Sequence, residues 1–518
     1  MSPPGRPKGE FRSAQHEATP VTVPWFSADA TALAAAIVRG ELSAQQALSL
    51  TLADIQDRNP KLNAVCLLRP EMGQATAASL DAELARCADD AARAELLRRR
   101  PFFGVPLLFK DVGSATALRG LPSRMGSRVY GPAGIEWAVD GALATRYLDA
   151  GFVVFGRTTS PEMGMNASTE AVAYGGPTRN PWNTAYSSGG SSGGAAAVTA
   201  AGVLTIAHAN DGAGSIRIPA SACGLIGLKP SRGLIPAGPL AGEGWGGLAI
   251  DHMVTRSVRD CARALDATAG ADAGAPYAAP PQPASYVGGL AAPMRPLRIA
   301  LCNRFFEGDA VHPEVAAAVA AFARELQALG HQVEEAGPDF ATLDVVRPVM
   351  QVVCTGTVMA LEVLATQRGR PVTEDELEPV TWSALRTGQA FSASSYLQAV
   401  SALHALGRRM ARFHERHDLL LTPTLAEPPA LLGRFEMNRP DFTEYRLGAK
   451  GLWRYSPFTP LANATGAPSI SLPVGQSSTG LPIGAMLGAD FGQDLLLLQV
   501  AAQWEAARGG QVAAIAPR

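Results

Sequence analysis

Ser187-Ser188-Gly189-Gly190-Ser191-Ser192-Gly193-Gly194 opens a run that passes through an Ala-rich segment and ends on Asn210-Asp211-Gly212-Ala213-Gly214-Ser215. Glycine on both sides of a serine pair frees the backbone to take positive φ, or a strained peptide, with no Cβ in the way. The side chains that remain in such a turn are aimed by the backbone. Ser191 and Ser215 stand 24 positions apart, room for a helix of about four turns and a short strand at the usual rises. A hairpin of that kind returns both serines to one spot.

Outward from this run, residues 151–158 (GFVVFGRT) and 203–207 read as buried strands with helices before and between them, and 225–228 follow the second serine loop. That alternation is the pattern of an α/β sheet. Upstream, the apolar stretch 102–111 (FFGVPLLFKD) ends on Lys110. Lysine is scarce here: its positions are Lys8, Lys61, Lys110, Lys229 and Lys450, against 44 Lys and Arg together. Base composition accounts for an arginine bias, and a lysine reaching to solvent from a strand end is the plain structural reading. The chemical reading is that this amine must lose its proton, since burial lowers an amine pKa whereas a guanidinium cannot serve as a base.

Elsewhere the pattern describes scaffold. Helical spacing covers 27–39 and 43–58, the second opened by a capping box of Ser43 and Gln46, and a charged helix is expected over 72–98. The Ala-, Pro- and Gly-dense segment 270–296 reads as a long surface loop and marks the one subdomain boundary that composition suggests. Strands are expected at 297–302, 332–335, 419–421, 469–473 and 482–487, and helices at 313–329, 345–365, 395–414 and 493–508. Residues 437–457 concentrate aromatics, which suits either a loop over a pocket or an ordinary packed loop. No internal repeat is present. The expected organisation is a disordered tail over 1–24, one domain over 25–510 and a short tail over 511–518.

With 518 residues, 47% hydrophobic content and a formal charge of −2, the chain has a large core and no basic or acidic footprint for nucleic acid or a membrane surface. The expected partner is a small neutral molecule, and a homodimer is among the assemblies the sequence allows. Six cysteines (Cys66, Cys87, Cys223, Cys261, Cys302 and Cys354) form no C-x-x-C pair, which argues against a disulfide framework and a zinc cluster and suits a cytoplasmic protein. Residues 1–24 hold no apolar core of a signal peptide, and the apolar stretch 195–207 is too short to span a bilayer.

Three constellations compete for the chemistry. Residues 189–193 fit the G-x-S-x-G of an α/β-hydrolase elbow with Ser191 as nucleophile, which requires a later acid and one of His252, His312, His331, His404, His414 or His417. Residues 224–229 end on a lysine but lack phosphate-loop spacing and precede Pro230. Lys110, Ser191 and Ser215 together form a base, a relay and a nucleophile without histidine, a variant of the hydrolytic triad. Asp211 and Arg217 flank the last serine and read as a structural pair bracing the loop, while Cys354 reads as core.

The run 187–233 (SSGGSSGGAAAVTAAGVLTIAHANDGAGSIRIPASACGLIGLKPSRG) resembles the signature of the amidase signature family. The likeness extends to GVPLLFKD around Lys110, to YGGPTRNPWN at 174–183 and to FTPLANATGAPSISLPVG at 458–475, so it covers roughly residues 27–508. The resemblance implies a single α/β domain with a large mixed sheet between helical layers and no metal or organic cofactor. It implies Ser215 as the acyl-forming nucleophile, Ser191 as a relay after a cis peptide bond from Gly190, and Lys110 as the base. The amides of Gly212, Ala213, Gly214 and Ser215 would then form the oxyanion hole. Where the family commonly has Gly-Gly before the nucleophile, this chain has Ala213-Gly214, so Ala213 must keep a φ/ψ open to a Cβ, and its methyl narrows the space beside the scissile carbonyl. The reaction implied is hydrolysis of a carboxamide, with anilides, cyclic or linear aminohexanoate-type amides and carbamates as substrates; residues 210–221 are most similar to the cyclic dimer hydrolase branch. A subunit that transamidates charged tRNA is the alternative within the family.

Overall fold

A computed structural model describes residues 27–517, so the tail expected over 1–24 lies outside the described residues. The strands that build the core are β1 (Val65–Leu68), β2 (Pro106–Lys110), β3 (Val153–Thr158), β4 (Ile206–Asp211), β5 (Ile226–Lys229), β6 (Ile250–Thr255), β7 (Arg298–Leu301), β8 (Gln332–Glu335), β9 (Leu419–Pro423), β10 (Ser469–Gln476) and β11 (Pro482–Ala489). Eight of them form one sheet in the order β8-β7-β9-β11-β10-β5-β6-β4, and three form a second in the order β1-β3-β2. The large sheet is mixed: β7 runs parallel to β8 and β9, and the other neighbours are antiparallel. Every residue of β2, β3 and β5 is buried. Strands covered on both faces are continuous apolar runs rather than alternating ones, which is why they stand out in the sequence.

The two sheets meet at β2 and β4, which lie side by side with no hydrogen-bonded ladder between them. At this seam the backbone N–H of Lys110 donates to Nδ1 of His208, 3.1 Å away, instead of to a strand carbonyl. A seam leaves polar backbone to be satisfied by side chains. The serine loops sit at its end.

The segment between the serines is more compact than the spacing suggests. Its helix is Gly193–Ala200, about two turns, and Gly202 at φ +74° closes it in the left-handed conformation common after a helix C-terminus. All eight residues are buried and small; a Cβ on Gly193 would stand 2.4 Å from Thr169 Oγ1, and one on Gly194 the same distance from Thr159 Oγ1. Asn210 and Asp211, expected in a loop, are the last residues of β4 and pair with Asp251 and Ile250.

Other departures have local causes. The helix expected over 72–98 is two, Pro70–Leu84 and Asp90–Arg99, because the Asp89 carboxylate accepts from the N–H of Ala92 at 2.8 Å and starts a new helix. Segment 270–296 divides nothing, since strands before and after it share the large sheet. It is pinned where it starts by Arg146, which donates to the carbonyls of Thr268 and Gly270 at 2.5 and 2.7 Å. Residues 511–517 pack back on the body, with the N–H of Ala516 bonded to the Ala200 carbonyl at 2.8 Å. The helix Thr342–Arg368, longer than expected, is apolar enough by length and composition to cross a membrane. Here it packs on Pro379–Gln389, a helix the sequence pattern did not disclose, and on Ala393–His414.

Candidate active site

The strand β2 delivers Lys110 to the seam completely buried. Its backbone is held on both sides: His208 accepts from its N–H, and Nη1 of the buried Arg157 donates to its carbonyl at 3.1 Å. Nζ lies 2.7 Å from Ser191 Oγ and 3.3 Å from the Asn210 carbonyl. Burial lowers the amine to about 7, outweighing the pull of Asp251 and Asp211 in the opposite direction. At neutral pH such an amine exchanges readily between donor and acceptor.

Ser191 follows a cis peptide bond from Gly190, as the resemblance implies. Glycine is required at 190 because a Cβ there would stand 2.6 Å from the Asn166 carbonyl. The neighbouring Ser192 ties this loop to the second one, its hydroxyl donating to the Asn210 carbonyl at 3.2 Å and accepting from the Asn210 N–H at 3.3 Å. Ser191 and Ser215 therefore line one cleft together with Asn210, Gly212 and Asp251. Ser215 is half-buried, and among the described residues its hydroxyl has no hydrogen-bond partner.

Asp211 and Arg217 are a fully buried, two-point ion pair, Nε to Oδ2 and Nη2 to Oδ1 both at 2.9 Å. Burial alone raises a carboxyl, but the Arg217 guanidinium and the donors around Asp211 hold it well below the usual range. Those donors include the amides of Gly214 at 2.6 Å and Ile216 at 3.1 Å, and the side chain of Asn463 at 2.9 Å. Thr459 holds the other side of the turn, donating to the Ala213 carbonyl at 2.8 Å. The bracing role expected of Asp211 and Arg217 is the one these contacts describe.

The turn corrects one expectation. The N–H of Gly214 is taken by Asp211 Oδ1, so Gly214 gives no donor to the cleft; its φ of +127° turns that amide inward, and a Cβ there would stand 2.4 Å from Thr459 Oγ1. The amides of Gly212, Ala213 and Ser215 find no acceptor among the described residues. Gly212 sits against the Trp245 ring, where a Cβ would stand 2.6 Å from Cε3. Ala213 keeps a negative φ, so its methyl is accommodated without strain.

The elbow arrangement is also corrected, because Ser191 is partnered by Lys110 and by none of the six histidines considered. His252 faces Cys261, His331 faces Gln503, His417 faces Glu334, and His414 faces the His417 carbonyl, while His312 caps a helix. The histidine that contacts Lys110 was not among them. His208 is buried and, having accepted at Nδ1, carries its proton on Nε2 toward Asp251 Oδ1 at 3.1 Å. Lys229 of β5 points away from the cleft, its amine bonded to the Pro230 carbonyl at 2.6 Å.

Two cavities flank Ser215. The wider, about 1060 Å³ including its open mouth, also holds Ser191, Asp251 and Tyr277. The narrower is apolar and lined by Met165, Ile218, Met350 and Val353 together with Phe442, Arg446 and Trp453, so the aromatic segment 437–457 does cover a pocket. It folds there as two short helices, Phe442–Leu447 and Leu452–Tyr455. Cys354 lies behind Val353 in the core, its thiol pushed up to about 12 by burial.

The Amidase family model matches residues 46–498. A 6-aminohexanoate-cyclic-dimer hydrolase of Paenarthrobacter ureafaciens is 35% identical over 495 residues, covering 92% of this chain and 94% of that protein. Among solved structures, a 6-aminohexanoate cyclic dimer hydrolase superposes with a TM-score of 0.84 at 34% identity over 95% of this chain and 98% of that one. A bacterial aryl acylamidase gives 0.83 at 26% identity over 94% and 97%.

Proposed function

We propose that this chain, which belongs to the amidase family and is an enzyme that hydrolyses amide C–N bonds, works through an acyl-enzyme on Ser215 with Ser191 as relay and Lys110 as base. The observation that carries this is a buried amine lowered to about 7 and placed 2.7 Å from Ser191 Oγ. Neutral Lys110 takes the Ser191 proton while Ser191 takes the Ser215 proton, and Ser215 Oγ bonds to the acyl carbon. The carbonyl oxygen, now an oxyanion, faces the amides of Gly212, Ala213 and Ser215. As the C–N bond breaks, the relay runs backward and Ser191 protonates the leaving nitrogen. Water then repeats the sequence on the ester and frees Ser215.

The proton path also orients the substrate. The leaving nitrogen must face Ser191, which lines the wide cavity only, so the amine half occupies that cavity and the acyl half the narrow apolar one. Anilides, cyclic or linear aminohexanoate-type amides and carbamates are the candidate substrates, the aminohexanoate type supported by the relatives named above. The reading includes a cytoplasmic enzyme, alone or as a homodimer, acting on a small molecule without nucleic-acid or membrane partners; six free thiols and a formal charge of −2 support it. A fluorophosphonate probe is expected to label Ser215 and stop release of 4-nitroaniline from acyl 4-nitroanilides. Labelling at Ser191 instead would overturn the assignment.

A further inference from the structure

Arg446 is the one ionisable side chain in the lining of the narrow cavity. It is 6% exposed, and among the described residues it has no acidic partner. Its Nη2 donates to the Met165 carbonyl, its Nε is buried with no acceptor, and its Nη1 makes no hydrogen bond to protein. The guanidinium lies 5.0 Å from the Phe442 ring centre and 5.8 Å from those of Tyr445 and Trp453. Burial lowers its pKa, and the smaller opposing contributions come from Tyr445 and Cys354.

A guanidinium removed from water is costly unless an anion or a set of acceptors replaces the lost hydration. The other buried arginines of the site meet that need within the protein: Arg217 has Asp211, and Arg157 has four backbone carbonyls. Arg446 has one carbonyl and three aromatic faces. Cation–π contact offsets part of the loss, but Nε and Nη1 are left without an acceptor among the described residues, and a guanidinium suits a carboxylate. Arg446 shares this cavity with Ser215, and the rest of the lining is mostly apolar, with Met165, Ile218 and Met350 contributing.

We infer that Arg446 receives a carboxylate at the far end of the acyl chain, which makes the preferred substrate the monoamide of a short dicarboxylic acid. This rests on the assignment of the narrow cavity to the acyl half. Arg446 exchanges no proton in the reaction; it is a specificity-determining residue that completes its own ion pair with the substrate. The near-neutral composition of the chain gives no hint of this, because a single buried charge decides it.

The test compares mono-4-nitroanilides of succinic, glutaric and adipic acids with the butyryl, valeryl and hexanoyl 4-nitroanilides. For at least one chain length the acid is expected to exceed its alkyl counterpart in kcat/KM by about 10- to 100-fold, mainly through KM, the range of a charge-assisted hydrogen bond. Arg446→Met should abolish or reverse that preference while Arg446→Lys keeps part of it. Alkyl anilides turned over as well as or better than the acids at every length would overturn the inference and leave the Ser215 mechanism standing. So would an equal loss on both series in Arg446→Met, the mark of a purely structural arginine. Should that variant not fold, the wild-type comparison and Arg446→Lys decide. No turnover of either series, with Ser215 unlabelled, would remove the acyl-enzyme reading and this inference with it.

Discussion

Lys110 and Arg217 are both basic side chains with no solvent exposure, gathered at the Asn210-Asp211 end of β4, and the protein treats them in opposite ways. Arg217 is given a carboxylate at 2.9 Å, a serine hydroxyl at 3.0 Å and an asparagine oxygen at 2.6 Å, so its charge is fixed. Lys110 is given a serine and one carbonyl, with its nearest carboxylates acting only from a distance. Burial thus does two jobs. With a partner it locks a loop, and without one it leaves an amine lowered to about 7.

The sharpest break in that contrast is at the group both regions serve. Ser215→Ala is expected to reduce kcat by on the order of 10⁴- to 10⁶-fold, since no neighbouring group replaces a triad nucleophile. Its melting temperature should match the wild type, because the Ser215 hydroxyl has no hydrogen-bond partner among the described residues. A variant that loses stability along with activity would place Ser215 among the bracing residues instead.

Lys110→Arg tests whether charge or proton exchange matters. A guanidinium cannot accept the Ser191 proton, so a loss on the order of 10³-fold is expected, close to that of Lys110→Ala. Substantial activity in the arginine variant would mean that position 110 needs only a cation, as position 217 does.

On the other side, Asp211→Ala leaves Arg217 buried and unpaired, and frees the amides of Gly214 and Ile216. Breaking a buried pair in this way costs about 3–5 kcal/mol, to be read from urea unfolding at pH 7. If the variant is as stable as wild type yet inactive, Asp211 acts on the reaction directly.

Acidity separates the two cations without mutation. Lys110 titrates near 7 and must be neutral to act, so protonation below that value removes the active form. The rate should fall about tenfold per unit as pH drops below 7 and level off above 8. Asp211, held well below the usual carboxylate range, keeps its charge throughout that window. A rate that is flat from pH 5 to 8 would detach Lys110 from catalysis.

The sequence shows the chemical region better than the bracing one. Glycine-flanked serines and a lone lysine at the end of an apolar run are local signals, readable within a few residues of each group. His208 sits mid-strand in IAHAND and looks like any core residue, because its role depends on the seam between β2 and β4. Thr459 and Asn463 reach the nucleophile turn from about 250 positions away, where the stretch 458–475 betrays the family but not which atoms touch. The glycine turn shows that amides can be turned inward, but only the folded turn shows that Asp211 claims the one on Gly214. Arg446 is hidden differently, as one arginine among many whose missing partner is visible only in three dimensions.

The smallest expected effect concerns the position where both regions meet. The Ala213 carbonyl is held by Thr459, its amide has no acceptor among the described residues, and the residue lines the narrow cavity. Ala213→Gly removes only the methyl and leaves each hydrogen bond in place. Branched acyl groups should therefore gain over linear ones by about 1–3 kcal/mol in the ratio of kcat/KM, the worth of one methyl in a hydrophobic pocket. Because Ala213 already holds a φ open to any L-residue, the wild-type turn is unstrained and glycine brings only extra freedom to the unfolded chain. That freedom costs about 0.4–1 kcal/mol of stability and leaves the folded site unchanged. Measuring a linear and a branched acyl 4-nitroanilide on both proteins separates the two contributions. An equal loss on both substrates would mean that the methyl holds the amides in register, and position 213 would then belong with Asp211 and Arg217 rather than with the pocket.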